Sequence, residues 1–348
     1  MTPIADLRRL LLEGQAIPAL PLALDRRRRW NPRRQQAVLR YYLDAGVGGV
    51  AVGVHSTQFE IREPKHGLFE PVLALAAETM NTWKRPTFTP LIRIAGLCGL
   101  TPQALAEAAL AIRLGYDAGL LSLGAWKSEP ERAILAHCRR IAREFPIIGF
   151  YLQPSVGGRL LSYRFWREFA DIPQVVAVKI APFNRYQTLD VVRAVVDSGR
   201  DDVALYTGND DNIIVDLLTR FESDGKARFI VGGLLGQWGV WTKCAVQLLG
   251  DLKHERTKKS LGLLWLTRNA GLTDANAAIF DPAHGFAGCI PGIHEILRRQ
   301  GIFETTACLN PHEQLSRGQP EEIDRVTRAY PWLLDDEFVA QNLDRWLA

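Results

Sequence analysis

The sequence predicts an α/β protein of the (β/α)8, or TIM-barrel, class with a C-terminal helical extension, and three observations carry that expectation. Short apolar runs alternate with longer amphipathic segments eight times in roughly 240 residues, a spacing suited to parallel strands joined by crossover helices. The runs are continuously apolar, as strands covered on both faces are. No GxGxxG follows the first run, so the fingerprint of a doubly wound dinucleotide-binding sheet is missing.

The first candidate strand covers 17–23 and leads into the basic stretch DRRRRWNPRR, 25–34. Placed in a loop at the barrel mouth, that stretch either steers an anion or forms a solvated, ion-paired loop. Asn31-Pro32, a capping residue followed by proline, starts a helix that ends at Gly46. Strand two covers 49–54 and strand three 87–94, after which Thr101-Pro102 starts a helix closed by Gly115. Strands four to eight cover 118–123, 147–152, 175–180, 203–207 and 228–233. Beyond about residue 250, SLGLLWLTRNAG, GIHEILRRQGIF and PEEIDRVTRAY read as helices. The expected division is a catalytic barrel over 1–250 and a helical region over 251–348 that packs on the barrel or on a neighbouring subunit.

Composition narrows the class of function. The 348 residues are 47% hydrophobic and 23% charged, with a formal net charge of +4, which is too small to call for nucleic acid or an anionic membrane as partner. The five cysteines, Cys98, Cys138, Cys244, Cys289 and Cys308, are odd in number and form no CxxC, which favours a reducing compartment over a disulfide framework or zinc site. Arginines interrupt the apolar N-terminal stretch and no apolar run approaches a bilayer span, so the expected location is the cytoplasm.

Chemistry enters at VVAVKIAP, 175–182, where a run fit for a buried strand contains Lys179. In a barrel the strand ends converge on one mouth, so Lys179 and Tyr151, in GFYLQPSVGGR at the end of strand five, are expected in one cavity. A desolvated amine is partly neutral and can attack a carbonyl to give an imine, with the phenol moving protons. The plainer reading makes Lys179 a solvated strand end and Tyr151 a packing residue.

These residues bring a family into view. YLQP, followed 28 positions after Tyr151 by Lys179 in VVAVK, with AGVGGVAVGVHSTQFE at strand two and YTGNDD at strand seven, resembles the dihydrodipicolinate synthase and N-acetylneuraminate lyase family of class I aldolases. The resemblance implies an imine at Lys179, a proton relay through Tyr151, pyruvate-derived chemistry and a homo-oligomer, tetramer or dimer. It departs at strand two, where the family has two hydroxyl residues after the glycine and this chain has Gly53, Val54 and His55, with Ser56 and Thr57 displaced. His55 is the candidate acid or base there. After strand four the family's second tyrosine is replaced by the region of Trp126 and Lys127, and the arginine of the tyrosine-proline motif is absent at its usual spacing, with Arg159 nearby.

The expected catalytic residues are therefore Lys179, Tyr151 and His55. Gly53, Val54, Ser56, Thr57, Trp126, Gly208, Asp210 and Gly233 are expected to line the substrate site, with Trp238 and Trp241 forming a bulky wall or packing against the C-terminal helices. Asp210 and Asp211 hold a polar group or cap a helix, and His284 and Cys289 lack metal-ligand spacing, so no metal or cofactor is called for. The function implied is a Schiff-base-forming lyase or synthase acting on a 2-oxo acid or related carbonyl compound, other than dihydrodipicolinate synthesis itself. The alternatives are a sugar-acid dehydratase using the same imine and an inactive barrel with a ligand-binding or assembly role.

Overall fold

The computed structural model describes residues 2–85, 90–223 and 225–348. Its strands are β1 Ala16–Pro18, β2 Gly49–Val52, β3 Ile92–Leu97, β4 Ala118–Leu121, β5 Ile147–Leu152, β6 Val175–Ala181, β7 Ala204–Thr207, β8 Arg220–Ser223, β9 Lys226–Phe229 and β10 Gly232–Leu235. The helices are α1 Ile4–Leu12, α2 Pro32–Ala45, α3 Phe69–Thr82, α4 Thr101–Arg113, α5 Glu131–Ala142, α6 Tyr163–Ala170, α7 Arg185–Asp197, α8 Ile213–Leu218, α9 Thr242–Glu255, α10 Leu264–Phe280, α11 Cys289–Arg299, α12 Gln319–Ala329 and α13 Asp336–Leu347. Eight strands form one sheet in the order β1-β10-β7-β6-β5-β4-β3-β2. A parallel bridge between Ala19 and Ala51 rejoins its two ends, so the sheet closes as a (β/α)8 barrel.

Local chemistry explains most of the boundaries. The Asn31 side chain accepts the Arg34 N–H at 3.1 Å, Pro32 opens α2, and Gly46 ends it at φ +93°, a left-handed conformation that favours glycine. Thr101, expected as a cap, is the first residue of α4; its hydroxyl instead lies 2.8 Å from Nδ1 of His137 in α5. Strand one is shorter than expected because Pro18 and Pro21 offer no N–H to a ladder. Of the third candidate strand, residues 87–89 lie outside the described residues, and β3 begins at Ile92. The eighth candidate strand divides in two. Its start belongs to an antiparallel hairpin of β8 and β9, and the barrel strand is β10.

The chain clusters into two compact units, Met1–Gln15 with Ile92–Leu234, and Ala16–Leu91 with Leu235–Ala348. The first holds the parallel run from β3 to β7, in which Val175, Val176, Ala177 and Val178 of β6 are fully buried, so that strand is covered on both faces. The second contains β1, β2 and α9 to α13.

In that second unit the basic run is consumed by the fold. Asp25 accepts the backbone N–H groups of Arg27 and Arg29 at 2.8 and 2.9 Å. Arg28 donates to the Cys308 carbonyl, Arg33 to Leu347 at 2.6 Å, and Arg34 to Ile302 at 3.2 Å. These guanidinium groups satisfy C-terminal carbonyls.

Candidate active site

Within the first unit, Lys179 lies in the middle of β6, 8% exposed, because the β-branched run around it belongs to a strand buried on both faces. Its register partners are Phe150 on β5 and Tyr206 on β7. Residues in register share a face of the sheet, and the ammonium lies 4.3 Å from the Phe150 ring centroid, a cation–π contact. Burial pulls the Lys179 pKa down to about 8, partly opposed by the negative charge of Asp210. The amine is therefore partly neutral near pH 8.

The turn after β7 is fitted against this side chain. A Cβ on Gly208 would come within 2.7 Å of Lys179 Cε and 2.8 Å of Ala181 Cβ, so only glycine leaves the lysine its place. Asn209, fully buried, ties two loops together. Its Oδ1 accepts the N–H of Phe183, a residue held at φ +52°, at 3.0 Å, and its Nδ2 donates to Asp216 at 2.9 Å and Thr188 at 3.3 Å. Asp216, 1% exposed, also accepts from Thr207 at 2.7 Å, from Asn212 at 3.1 Å and from Arg185. With so many donors the buried carboxylate is compensated, and the turn that carries Asp210 is fixed from behind.

Tyr151 is not brought beside Lys179. Its register partner is Ile180, one residue on, so its side chain leaves the opposite face of the sheet. There its ring packs on Trp166 of α6 at 5.1 Å, and its hydroxyl donates to the Leu161 carbonyl at 3.2 Å and accepts the Leu161 N–H at 3.3 Å. Gly149, of the same parity, confirms the direction, since a Cβ there would meet Phe169 and Trp166. The cause is a register shift between Ile147 and Ile148: Ile147 pairs with Val175, but Ile148 pairs with Ala177. The expected shared cavity for phenol and amine is thus corrected by the structure. Burial also raises the phenol pKa, against the stabilising backbone bond.

The Trp126 indole stacks on His137 of α5, with ring centroids 4.7 Å apart, and its carbonyl accepts Arg159 Nη1 at 2.5 Å. Arg159 also reaches the Glu129 carbonyl at 3.0 Å, so it fastens the loop after β5 to the loop after β4. Gly233 lies in β10, paired with Thr207, and donates its N–H to Gln15 at 3.2 Å.

The loop after β2 belongs to the second unit. Gly53, at φ +75°, allows the turn into residues 55–57, and a Cβ there would crowd Phe69 at 3.0 Å. The Thr57 hydroxyl accepts the N–H groups of Gly53 and Val54 at 3.0 and 3.2 Å and donates to Leu20 at 2.7 Å. It is spent on the turn. Val54 is 3% exposed and contributes only an apolar surface, whereas Ser56, 4% exposed, makes no hydrogen bond through its side chain among the described residues. The His55 ring lies 5.9 Å from that of Phe59. Trp238 is fully buried and Trp241 is 2% exposed.

Two participants were not legible in the sequence as site residues, Phe150 and Asn209. Phe150 is visible only through the register shift, and Asn209 sits inside the YTGNDD motif, where the adjacent aspartates carry the stronger chemical signal. Among the described residues no group of three or more His, Cys, Asp or Glu side chains is placed to hold a metal ion, and no helix is long and apolar enough to cross a membrane.

No family model matches the chain. A 121-residue segment is 31% identical to a 4-hydroxy-tetrahydrodipicolinate synthase from a Cyanothece species, a match spanning 34% of this chain and 39% of the relative's length. The N-acetylneuraminate lyase structure from Fusobacterium nucleatum superposes with a TM-score of 0.70 at 17% identity, over 92% of this chain and 99% of that one. An E. coli K12 prophage protein of the dihydrodipicolinic acid synthase family, solved in complex with pyruvate, gives a TM-score of 0.70 at 14% identity over 92% and 98% of the two chains. The structural likenesses establish the fold. The sequence likeness is confined to that segment, and the chain spans about two fifths of the length of the curated relative it matches.

Proposed function

We propose that this divergent relative of dihydrodipicolinate synthase and N-acetylneuraminate lyase is a Schiff-base-forming lyase or synthase of the class I aldolase type, acting on a 2-oxo acid or related carbonyl compound. Residues 1–250 are its catalytic barrel and 251–348 a helical extension. The observation that carries the reading is Lys179: a buried strand lysine with its pKa brought to about 8 and its side chain enclosed by Phe150 and Gly208. In the reaction, neutral Nζ adds to the carbonyl carbon, a proton is delivered to the resulting hydroxyl, and loss of water leaves the imine. The protonated imine then accepts the electron pair of the breaking bond between its α- and β-carbons, giving an enamine that is protonated and hydrolysed from Lys179. In a dehydratase the imine would instead accept the α C–H pair, and the enamine would expel the β-hydroxyl, which leaves as water with the C–O pair.

For the proton relay, the group whose charge reaches Lys179 is Asp210. The relay role expected for Tyr151 would require the phenol to leave Leu161 and cross to the other face of β5. We therefore assign proton transfer to Asp210; roles for His55 and Ser56 of the strand-two loop are retained as expectations of the resemblance. The homo-oligomer and the cytoplasmic location are retained as expectations of the resemblance.

The test is turnover. The protein is incubated with pyruvate and a panel of 2-oxo acids, aldehydes and 2-keto-3-deoxy sugar acids, and products are identified by mass. Two-fragment cleavage or condensation supports the proposal. Loss of water alone would favour the dehydratase, and no product or covalent adduct with any substrate would favour a binding role.

A further inference from the structure

A recess built wholly from the second unit lies among α9, α10 and the turn at 331–333; of the expected site residues it includes Trp241. It is a cavity of about 150 Å3 whose ionisable lining groups are Cys244, Asp251 and Arg268. Trp241, Leu248, Leu272, Trp332 and Leu333 supply its apolar walls. Trp241 holds its position at φ +51°, a conformation costly for a residue with a side chain.

The polar side is equally specific. Arg268 lies 5.3 Å from the Trp265 ring and 5.3 Å from the Trp332 ring, held by two indole faces. Among the described residues it has no hydrogen-bond or ion-pair partner through its side chain, and the same is true of Asp251. The third ionisable group, the Cys244 thiol, donates to the Leu334 carbonyl at 3.1 Å, and burial pushes its pKa up to about 11, so it stays neutral. One recess therefore presents one cation and one anion, neither with a partner in the protein among the described residues, beside apolar and indole walls. Pockets with apolar walls and a few convergent polar groups are the usual form of small-molecule sites.

We infer that this recess binds a small zwitterion carrying an apolar or aromatic group, the chemical class of the apolar α-amino acids, with its carboxylate on Arg268, its ammonium group on Asp251 and its side chain against Trp241 and Trp332. The ligand's two charges select against molecules carrying only one of them. No covalent step is involved.

The test uses the full chain, titrated with L-phenylalanine and L-leucine and followed by calorimetry and by intrinsic tryptophan fluorescence. The expected result is saturable binding with a fluorescence change. Phenylacetate and phenethylamine, each lacking one charge, are expected to bind roughly tenfold more weakly or worse, and Arg268→Gln and Asp251→Asn each to cost roughly tenfold. Asp251→Asn leaves thermal unfolding unchanged, since the side chain makes no bond in the protein. Absence of saturable binding in the millimolar range, or binding unaltered by both substitutions, overturns the inference. So does a concentration-dependent rise in molar mass that Arg268→Gln abolishes, which would mean that a second copy fills the recess.

Discussion

The ammonium of Lys179 lies 4.3 Å from the centre of the Phe150 ring, on the face of the sheet from which Tyr151 turns away. A single register shift at the start of β5 produces this arrangement, and it changes which side chains can take part in chemistry at the lysine.

Tyr151→Phe removes a hydroxyl bonded only to the Leu161 backbone. The expected cost is about 1 kcal/mol of stability, read by chemical denaturation, with imine trapping at Lys179 retained at close to the wild-type rate. A relay tyrosine would show the reverse, an intact fold with trapping lost.

The pH dependence of imine trapping follows from the lysine's two opposing influences. Burial holds the pKa near 8, so the rate is expected to rise with pH through about 8, well below the 10.5 of an ordinary lysine. Asp210 raises that pKa by stabilising the ammonium, so Asp210→Asn is expected to move the profile to lower pH while slowing the proton-transfer steps. An unmoved profile in the variant would sever Asp210 from the lysine.

Stability should carry the same signature. The folded pKa is lower than the unfolded one, so the unfolded chain binds more protons, and the cost of keeping Lys179 is fully present below about pH 8 and disappears as pH rises to 10.5. Lys179→Met is therefore expected to stabilise the protein by about 3 kcal/mol at pH 7, with the gain shrinking toward pH 10. Urea denaturation at the two pH values measures it.

Asn209→Ala leaves the Phe183 N–H without its acceptor and Asp216 without one donor. A loss of roughly 1–3 kcal/mol is expected, together with slower imine formation, because the turn carrying Gly208 and Asp210 is no longer fixed. Gly208→Ala would set a Cβ 2.7 Å from Lys179 Cε and 2.8 Å from the Ala181 Cβ, so trapping and stability should both fall.

Much of this was legible in the sequence. The barrel could be read because its strands are continuous apolar runs with cap-and-proline helix starts, as at Asn31-Pro32. The buried lysine could be read because Val175 to Val178 announce a strand covered on both faces. What could not be read is the partner of that lysine. Tyr151 lies 28 positions before Lys179, the offset at which Ile147 pairs with Val175; past the shift the offset grows by one, and every side chain on β5 changes face relative to β6. No residue type at Ile147 or Ile148 marks that insertion. The strand-two hydroxyls illustrate a second limit. Ser56 and Thr57 look equivalent in sequence, but Thr57 falls where the turn's N–H groups need an acceptor. The basic run is a third case, its arginines absorbed by carbonyls nearly 300 positions away, such as Arg28 with Cys308.

Whether Lys179 is the nucleophile is read by borohydride reduction of the protein with pyruvate and, in parallel, with other 2-oxo acids, followed by peptide mass mapping of wild type and Lys179→Ala. A stoichiometric adduct is expected on the peptide containing Lys179, absent from the variant and still present in Tyr151→Phe. An adduct that maps to another lysine, or no adduct with any 2-oxo acid in folded protein, would contradict that assignment.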